Sequence, residues 1–354
     1  MMNVLVLGGT GAIGTHLVQQ LVAGGVNCVV TSRKKRSSGF NLTYAQGNAH
    51  DIIFIQQLLG TRKWDAIVDF MTYPTEEFMS RYQLLLKSTK QYIYLSSSRV
   101  YAECDGKINE NSPRLLDVCE EEKYLSTDEY ALRKARQEDI LKNSGYHHWT
   151  IIRPYVTFSE QRLQLSPLEK EYWLYRALHG RTIVFSKDLA EKTTTLTYGE
   201  DVARGIASLI GKESALGKAF HITTSETHRW SEILMAYLDV LEKKSGTRPK
   251  LLLTDKWETY YVGNVFQVKY DRMYNREFDN SRINDFIDTT TFKHTIPTLT
   301  QCLSEFLDHP SFKPINWRKE ARKDRLTGEW AQQSEIQGVK HKIIYLLNRL
   351  GLKI

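Results

Sequence analysis

Residues 3–14 read NVLVLGGTGAIG, an apolar run that leads straight into glycines at positions 8, 11 and 14. A helical pattern beginning HLVQQLV follows at once. Glycines at this spacing permit a tight turn, close approach of the backbone to a pyrophosphate, and close packing of the helix on the strand. Because a strand precedes the glycines, and a helix and a second strand follow, this stretch predicts a dinucleotide-binding loop rather than a merely structural turn.

The first half of the chain alternates short β-branched runs with longer amphipathic stretches, the pattern of βαβ units in a parallel sheet. The predicted strands are Asn3–Leu7, Asn27–Ser32, Asp65–Phe70, Gln91–Ser96 and His148–Arg153. The predicted helices are Ala12–Ala23, Ile52–Leu59, Glu76–Lys87 and Asp128–Asn143. We expect right-handed crossovers with helices on both faces of the sheet, which is a doubly wound α/β fold of the Rossmann type.

After Pro154 the alternation weakens. Thr193–Thr197 and Lys218–Ile222 are predicted to return to the sheet, with a helix over Gly199–Ile210 between them. The expected organisation is a dinucleotide-binding domain of residues 1–157 to which 193–222 returns, a smaller substrate lobe of residues 158–192 and 223–314, and a basic C-terminal extension of residues 315–354.

The composition indicates a globular protein. The chain has 354 residues, 41% of them hydrophobic, which is enough for a large core. No apolar run approaches the roughly 18–20 residues of a membrane-spanning helix, and the N-terminus lacks the basic segment of a secretory signal. The four cysteines (Cys28, Cys104, Cys119, Cys302) show no CxxC spacing, so we expect no metal site, no disulfide framework and a cytoplasmic location.

The net charge of +7 is concentrated at the C-terminus. Residues 313–354 contain ten Lys or Arg and four Asp or Glu, so this segment alone carries +6. The rest of the chain lacks the charge of a nucleic-acid binder, and we expect no nucleic-acid partner. A short amphipathic helix is predicted at Val339–Leu350. It either makes weak contact with an anionic membrane surface or, as we expect, packs on its own domain or across a dimer.

The end of the second strand bears on cofactor choice. An NAD-specific protein usually places a carboxylate there to bind the adenosine ribose, but this chain has Ser32 followed by Arg33. A hydroxyl beside a guanidinium suits a 2′-phosphate, which a carboxylate would repel. The sequence therefore favours NADP(H), with NAD(H) as the alternative if the basic turn is simply solvated.

A second motif, YALRK, places Tyr130 and Lys134 on one face of a predicted helix. A phenol is a weak base at neutral pH, and a nearby ammonium group stabilises its phenolate. This pair suits proton exchange with a carbinol or ketone while hydride moves to or from a nicotinamide. Upstream, Ser97 follows the fourth predicted strand, where a hydroxyl can hydrogen-bond the reacting oxygen, although serines are also common in turns.

Together these motifs resemble the extended short-chain dehydrogenase/reductases of the NAD-dependent epimerase/dehydratase family. GGTGAIG, SSSRVY, YALRK and IIRPYV occur in the family's order over residues 1–307. The resemblance implies that Tyr130 is the general acid/base, that Lys134 binds the nicotinamide ribose, and that Ser97 holds the substrate oxygen. It also implies a cofactor site built from Gly8, Thr10, Gly11, Ala12, Ile13, Gly14, Ser32, Arg33, Asn48, Ala49, Phe70, Met71, Thr72, Tyr130, Lys134, Tyr155 and Val156.

The same resemblance bears on the reaction. Family members that eliminate water carry an Asp-Glu pair directly after the catalytic hydroxyl, where this chain has Ser98 and Arg99. Dehydration is therefore disfavoured, and epimerisation or ketone reduction remains. The implied substrate is a nucleotide sugar bound by a homodimer, and the residues expected to contact it are Ser98, Arg99, Tyr155 and Arg181.

A different class of function stays open. A non-catalytic relative could use the dinucleotide fold as a scaffold that senses the cofactor and binds RNA or a protein. The unusual Asp69-Phe70 pair and the basic tail favour this alternative. The Ser97, Tyr130 and Lys134 set opposes it, because a scaffold has no need of a phenol beside an ammonium group.

Overall fold

The computed structural model describes residues 2–352 of the chain. Its contacts divide it into two compact units. The first comprises Met1–Thr157, Thr195–Glu226 and Arg276–Thr295, and the second comprises Phe158–Thr194, Thr227–Asn275 and Ile296–Ile354.

Within residues 2–352, thirteen strands form one large sheet and three two-stranded sheets. The strands are β1 (Asn3–Leu7), β2 (Asn27–Ser32), β3 (Leu42–Gln46), β4 (Ala66–Asp69), β5 (Tyr92–Leu95), β6 (Trp149–Pro154), β7 (Val156–Phe158), β8 (Ile183–Ser186), β9 (Thr193–Thr194), β10 (Leu196–Tyr198), β11 (Lys218–Ile222), β12 (His228–Arg229) and β13 (Leu251–Thr254).

Fifteen α-helices connect or extend them among the described residues. They are α1 (Gly14–Ala23), α2 (Ile52–Leu59), α3 (Thr75–Lys87), α4 (Leu115–Val118), α5 (Glu122–Leu125), α6 (Tyr130–Lys142), α7 (Lys170–Leu178), α8 (Lys187–Ala190), α9 (Gly199–Leu209), α10 (Trp230–Ser245), α11 (Val265–Gln267), α12 (Ser281–Asn284), α13 (Thr295–Asp308), α14 (Trp317–Thr327) and α15 (Val339–Leu350).

The first unit is a Rossmann-like domain. Its seven-stranded sheet has the order β11-β6-β5-β4-β1-β2-β3, and every pairing in it is parallel. The inner strands are apolar on both faces, and Val4 to Leu7 of β1 are fully buried between the two helical layers. The strand order reverses between β1 and β4, and ligands of such sheets bind at the carboxyl ends of the strands there. The predicted doubly wound fold is confirmed.

Two strand predictions need correction. Thr193–Thr197 does not join the large sheet, because β9 pairs with β12 and β10 pairs with β7. The β-branched threonines predict a strand but do not determine its partner. Conversely, β3 was missed. It lies at the sheet edge, where alternating exposure removes the continuous apolar run that marks an inner strand. The predicted return of Lys218–Ile222 beside β6 is present.

The segment Arg276–Thr295 lies in the first unit, although the sequence analysis assigned it to the substrate lobe. Backbone hydrogen bonds join Ile108 to Glu277 and Asp279 at 2.8 Å each. The Asn280 side chain also donates to the carbonyl of Thr223 at 2.8 Å. These long-range contacts, which leave no local pattern in the sequence, hold the segment against the dinucleotide-binding fold.

In the second unit, β8 pairs with β13 in parallel, and the C-terminal helices α14 and α15 pack on each other. A small apolar cluster around Trp317, Ala321 and Tyr345 joins the two helices. The helix α15 therefore packs one face on its neighbour α14 within the second unit. Lys353, one of the ten basic residues counted between 313 and 354, lies outside the described residues. Within residues 2–352, no helix is both long and apolar enough to cross a bilayer.

Candidate functional site

The loop between β1 and α1 has the geometry that an anion requires. Gly8 has a φ of +72°, and its N–H donates to Thr31 Oγ1 at 2.9 Å. A Cβ on Gly14 would lie 2.7 Å from the backbone of Gly9, so the start of α1 packs directly on the loop. A Cβ on Gly11 would meet nothing within 4 Å, so this turn of the loop is open to a ligand. The α1 N-terminus lies beside that opening.

A cavity of about 240 Å³ lies next to this loop, at the ends of β1, β2 and β3. Seven predicted cofactor residues line it: Gly8, Thr10, Ser32, Arg33, Asn48, Ala49 and Met71. Three residues that the sequence analysis did not select also line it: Thr31, Gly47 and His50. Thr31 directly precedes the predicted Ser32, and Gly47 and His50 flank the predicted Asn48 and Ala49. All three lie next to predicted residues, so including the neighbours on each side would have found them.

The cavity wall contains no carboxylate. Ser32 is buried, and its hydroxyl donates to the carbonyl of Lys34 at 2.8 Å. Arg33 is exposed and forms no ion pair with any residue between 2 and 352. The rim of the cavity therefore presents a positive charge that no carboxylate neutralises.

The other predicted cofactor residues have different surroundings. Phe70 is half-buried and Thr72 is exposed, at the end of β4. Met71 fills the space beside Gly8, where its sulfur would lie 2.8 Å from an added Cβ. Tyr155 and Val156 are buried, and the Tyr155 ring packs on Phe278 at 5.4 Å. None of Phe70, Thr72, Tyr155 and Val156 lines the cavity described above.

Lys134 is buried within the first unit. Its Nζ donates to the carbonyl oxygen of Leu95, the last residue of β5, at 2.6 Å. The pKa of Lys134 is lowered to about 7, mainly by burial and in part by the charge of Arg133, while Asp69 and Glu138 oppose the shift. The hydrogen bond holds the start of α6 against the strand end that carries the three serines.

Those serines differ in what their hydroxyls bind. Ser96 donates to Glu138 at 2.6 Å, and Ser98 donates to the carbonyl of Arg153 at 2.7 Å. Ser97 instead accepts from the N–H of Arg99 at 3.2 Å. Among the residues that the structure describes, Ser97 is thus the serine of this group whose hydroxyl proton remains available to a ligand.

Tyr130 begins α6 and is half-exposed. Three cationic groups surround its ring: Arg99 at 5.2 Å, Arg133 at 5.7 Å and Lys134 at 5.9 Å from the ring centre. Glu129, the preceding residue, caps α6 by accepting from the N–H of Ala131 at 2.8 Å and binds Arg99 at 2.7 Å.

Asp69, at the end of β4, was not selected from the sequence as a site residue. It is fully buried and accepts hydrogen bonds from Tyr92 at 2.8 Å, from Tyr73 at 3.3 Å and from the N–H of Met71 at 2.9 Å. Burial raises the pKa of Asp69, and the charge of Lys134 opposes that rise. Asp69 therefore anchors the turn that carries Phe70 and Met71. A charged residue at the end of a predicted inner strand was the available signal.

Two of the predicted substrate contacts need correction. Ser98 is fully buried with its hydroxyl bound to backbone. Arg181 lies inside the second unit, where it binds Asp324 and Glu335 at 3.0 Å each. Both side chains are occupied by the protein itself. Arg99 remains beside Tyr130, although Glu129 binds its guanidinium.

The residues present fit a nicotinamide dinucleotide. An open glycine loop at a helix N-terminus suits a pyrophosphate, and the adjoining cavity suits an adenosine group. The Lys134, Tyr130 and Ser97 side chains share the same unit, around the ends of β5 and α6. Such an arrangement is able to exchange a proton with an alcohol or a ketone.

Comparison with known proteins agrees with this geometry. The model of the NAD dependent epimerase/dehydratase family matches residues 4–222. A UDP-glucose 4-epimerase from Lacticaseibacillus casei is 25% identical over 169 residues, which cover 42% of this chain and 46% of that protein. The similarity thus spans less than half of this relative.

Solved structures share the fold. The Bordetella bronchiseptica enzyme WbmH in complex with NAD+ has a TM-score of 0.68 at 17% identity, covering 88% of this chain and 100% of that one. UDP-glucuronic acid 4-epimerase from Bacillus cereus, in complex with UDP-glucuronic acid and NAD, has a TM-score of 0.64 at 15% identity, with the same coverages. With the family model matching more than half of its length, the chain belongs to the NAD-dependent epimerase/dehydratase family.

Proposed function

We propose that this protein moves hydride and a proton at a carbinol or ketone carbon of a nucleotide sugar. The observation that carries the proposal is the grouping of Lys134, Tyr130 and Ser97 around the end of β5, with Lys134 Nζ bonded to the carbonyl of Leu95 at 2.6 Å. A protein that only binds a dinucleotide has no need of this buried ammonium group beside a phenol.

The dinucleotide would be held by the glycine loop and by the walls of the adjoining cavity. When bound, its nicotinamide supplies the acceptor and donor of the hydride. The residues proposed to hold it are Gly8, Thr10, Gly11, Ala12, Ile13, Gly14, Thr31, Ser32, Arg33, Gly47, Asn48, Ala49, His50, Met71, Tyr130 and Lys134.

The proton would move through Tyr130. In the oxidising direction its phenolate oxygen takes the proton of the sugar hydroxyl, and in the reducing direction its phenol returns a proton to the ketone oxygen. Ser97 donates its free hydroxyl proton to the same sugar oxygen, which stabilises the negative charge that develops there. Lys134 and Arg99 supply positive charge beside the Tyr130 ring.

Epimerisation is the first candidate reaction. In this reaction the carbinol is oxidised, the keto intermediate rotates within the site, and the ketone is reduced on its opposite face. The dinucleotide therefore returns to its initial oxidation state. The curated relative and the B. cereus structure are both 4-epimerases of UDP-sugars. Elimination of water is disfavoured, because Ser98 and Arg99 occupy the positions of the acid and base that it needs.

Net reduction of a 4-keto nucleotide sugar with NADPH is the second candidate. The absence of a carboxylate from the cavity wall and the unpaired Arg33 guanidinium at its rim favour it among the described residues. These features suit a 2′-phosphate, which a guanidinium binds through charge-assisted hydrogen bonds.

The experiment is product analysis on the purified protein. UDP-glucose and UDP-glucuronic acid would be incubated with NAD, and a 4-keto nucleotide sugar with NADPH, for the native chain and for Tyr130→Phe. We expect one of these reactions with the native chain and its loss in the variant. Tight dinucleotide binding without turnover of any of the three compounds would overturn the proposal and favour the scaffold alternative.

We further propose a homodimer in the cytoplasm. The resemblance to the family supports the dimer, and four free cysteines support a reducing compartment. Sedimentation equilibrium of the purified chain tests the first expectation, and a monomer at all concentrations would contradict it.

A further inference from the structure

The C-terminal segment uses its acidic residues inside the second unit and exposes most of its basic ones, with Lys323 as a buried exception. Glu320 and Asp324 of α14 are fully buried and bind Arg176 at 2.9 and 2.6 Å. Glu335 binds Arg181 at 3.0 Å, and Glu329 binds the N–H of Thr182 at 2.9 Å. All four carboxylates between residues 313 and 352 are thus used inside the second unit, and none remains to neutralise the outer surface.

Several basic side chains of the same segment are exposed. Arg318, Arg325, Lys340 and Lys342 are exposed, and none of them forms an ion pair with a residue between 2 and 352. Arg349 is half-buried, with its guanidinium 4.5 Å above the ring of Trp330. The outer surface of α14 and α15 is therefore uniformly positive.

An apolar stripe runs along the exposed side of α15. Val339, Ile343, Leu346 and Leu350 are 74%, 52%, 46% and 56% exposed. Their spacing of four, three and four residues places them in one row along the helix, while Tyr345 faces inward. By helix geometry, Lys340 and Lys342 lie on opposite sides of this row. Four exposed aliphatic side chains in one row are uncommon on a surface that contacts only water.

A cleft of about 410 Å³ lies at the C-terminal end of the stripe. Arg318, Arg322 and Arg325 line it together with Asn348, Gly351, Val262 and Leu352. The Arg322 guanidinium already donates two hydrogen bonds within the protein, to the carbonyls of Glu258 and Thr259 at 3.0 and 3.3 Å. No carboxylate lines the cleft, so its three guanidinium groups are suited to a phosphate.

We propose that this C-terminal face, made of the stripe, the flanking lysines and the arginine cleft, binds the surface of an anionic phospholipid bilayer. The aliphatic row would enter the boundary between headgroups and acyl chains, while the basic groups contact phosphates. RNA fits less well, because it offers nothing to cover four aliphatic side chains. A second copy of the chain fits less well, because two uniformly positive faces would repel each other.

The test is cosedimentation of the full chain with sucrose-loaded vesicles. One set contains phosphatidylcholine alone, and the other contains about one third phosphatidylserine. We expect binding to the anionic set that weakens with added NaCl, and at least about tenfold weaker binding to the neutral set. Equal binding to both sets, or binding to neither, would overturn the proposal.

Two double variants identify the face. Lys340→Gln with Lys342→Gln removes two charges, and Ile343→Ser with Leu346→Ser removes the centre of the stripe. Each is expected to weaken anionic-vesicle binding at least about tenfold, because a basic residue near the surface and a buried aliphatic group each contribute substantially. All four side chains are exposed, so thermal unfolding should change little.

Matched controls lie in the first unit. Lys63→Gln with Lys212→Gln makes the same charge change, and Met79→Ser with Val118→Ser removes exposed apolar side chains. Neither should alter vesicle binding. The proposal is wrong if the controls weaken vesicle binding as much as the C-terminal variants do. It is also wrong if homopolymeric RNA binds while vesicles do not, or if the stripe variant converts a dimer to a monomer without affecting vesicle binding.

Discussion

Lys134 Nζ donates a hydrogen bond of 2.6 Å to the carbonyl oxygen of Leu95. This contact joins the second turn of α6 to the end of β5 inside a fully buried environment. Removing an ammonium group from water is costly, and burial lowers the Lys134 pKa to about 7 from its ordinary 10.5. The protein therefore holds a destabilising group at the point where the chemistry is proposed to occur, as is common at functional sites.

The first prediction concerns stability and pH for Lys134→Met. The pKa of Lys134 is lower in the folded state than in the unfolded state. Between pH 7 and 10.5 the unfolded state of the unmodified protein therefore binds more protons than the folded state, and the free energy of unfolding rises with pH across that window. The Lys134→Met variant lacks this pH-dependent contribution to the free energy of unfolding. Between about pH 7.5 and about pH 9.5 we expect the native chain to gain about 2 to 3 kcal/mol of unfolding free energy relative to the variant, measured by urea unfolding.

The exposed Lys212→Met provides the control for this measurement, since its stability difference from the native chain should not change with pH. Parallel curves for the native chain and Lys134→Met would mean that the buried lysine keeps an ordinary pKa, contrary to the prediction.

The second prediction separates catalysis from binding. Tyr130→Phe keeps the ring that packs beside Arg99, Arg133 and Lys134 but removes the oxygen that carries the proton. Turnover should fall roughly 10²- to 10⁴-fold, while the dissociation constant for the dinucleotide, followed by fluorescence titration, stays within about twofold. Tyr82→Phe removes a phenol elsewhere in the first unit and should leave turnover unchanged. Equal turnover in both variants would exclude Tyr130 as the acid/base.

Much of the first unit followed from local sequence. β1, β2, β11 and α2 have the predicted bounds, as does α15 in the second unit, because each is a continuous apolar or amphipathic run ended by glycine or polar residues. The two errors have different physical origins. The edge strand β3 lacks the continuous apolar run of an inner strand, whereas Thr193–Thr194 pairs with a strand some distance along the chain, which leaves no trace in a local pattern.

The candidate site divides in the same way. Gly8, Ser97, Tyr130 and Lys134 belong to motifs whose spacing predicts the roles proposed for them. Arg181 looked equally suitable for a substrate phosphate, but Asp324, which lies 143 residues further along the chain, binds it. An arginine's availability depends on which carboxylates fold against it, and sequence alone does not show this.

The third prediction concerns cofactor choice. Arg33 is exposed at the rim of the cavity and has no ion pair with a described residue, so its guanidinium is available to a 2′-phosphate. Arg33→Gln should weaken NADPH binding about 10- to 100-fold, the loss of one or two charge-assisted hydrogen bonds, and leave NADH binding nearly unchanged. Lys35→Gln, two residues further along the same exposed turn, is the charge-matched control. If the native chain binds NADH more tightly than NADPH and Arg33→Gln changes neither, the preference for NADP(H) is wrong.

The fourth prediction concerns the buried charges that hold the C-terminal helices. Asp324 accepts from Arg176 at 2.6 Å, from Arg181 at 3.0 Å and from the hydroxyl of Tyr345 at 2.7 Å, all inside the second unit. Asp324→Asn keeps the size of the side chain but leaves two buried guanidinium groups with less negative charge. Breaking a buried ion pair costs about 3 to 5 kcal/mol, and we expect the free energy of unfolding of this unit to fall by that amount. We also expect faster proteolysis between α14 and α15. Asp255→Asn provides the control, because its ion pair with Lys187 is largely exposed and should contribute little to stability. Similar small losses in the two variants would show that the buried pairs contribute no more than exposed ones, and that the apolar contacts around Trp317 hold the helices instead.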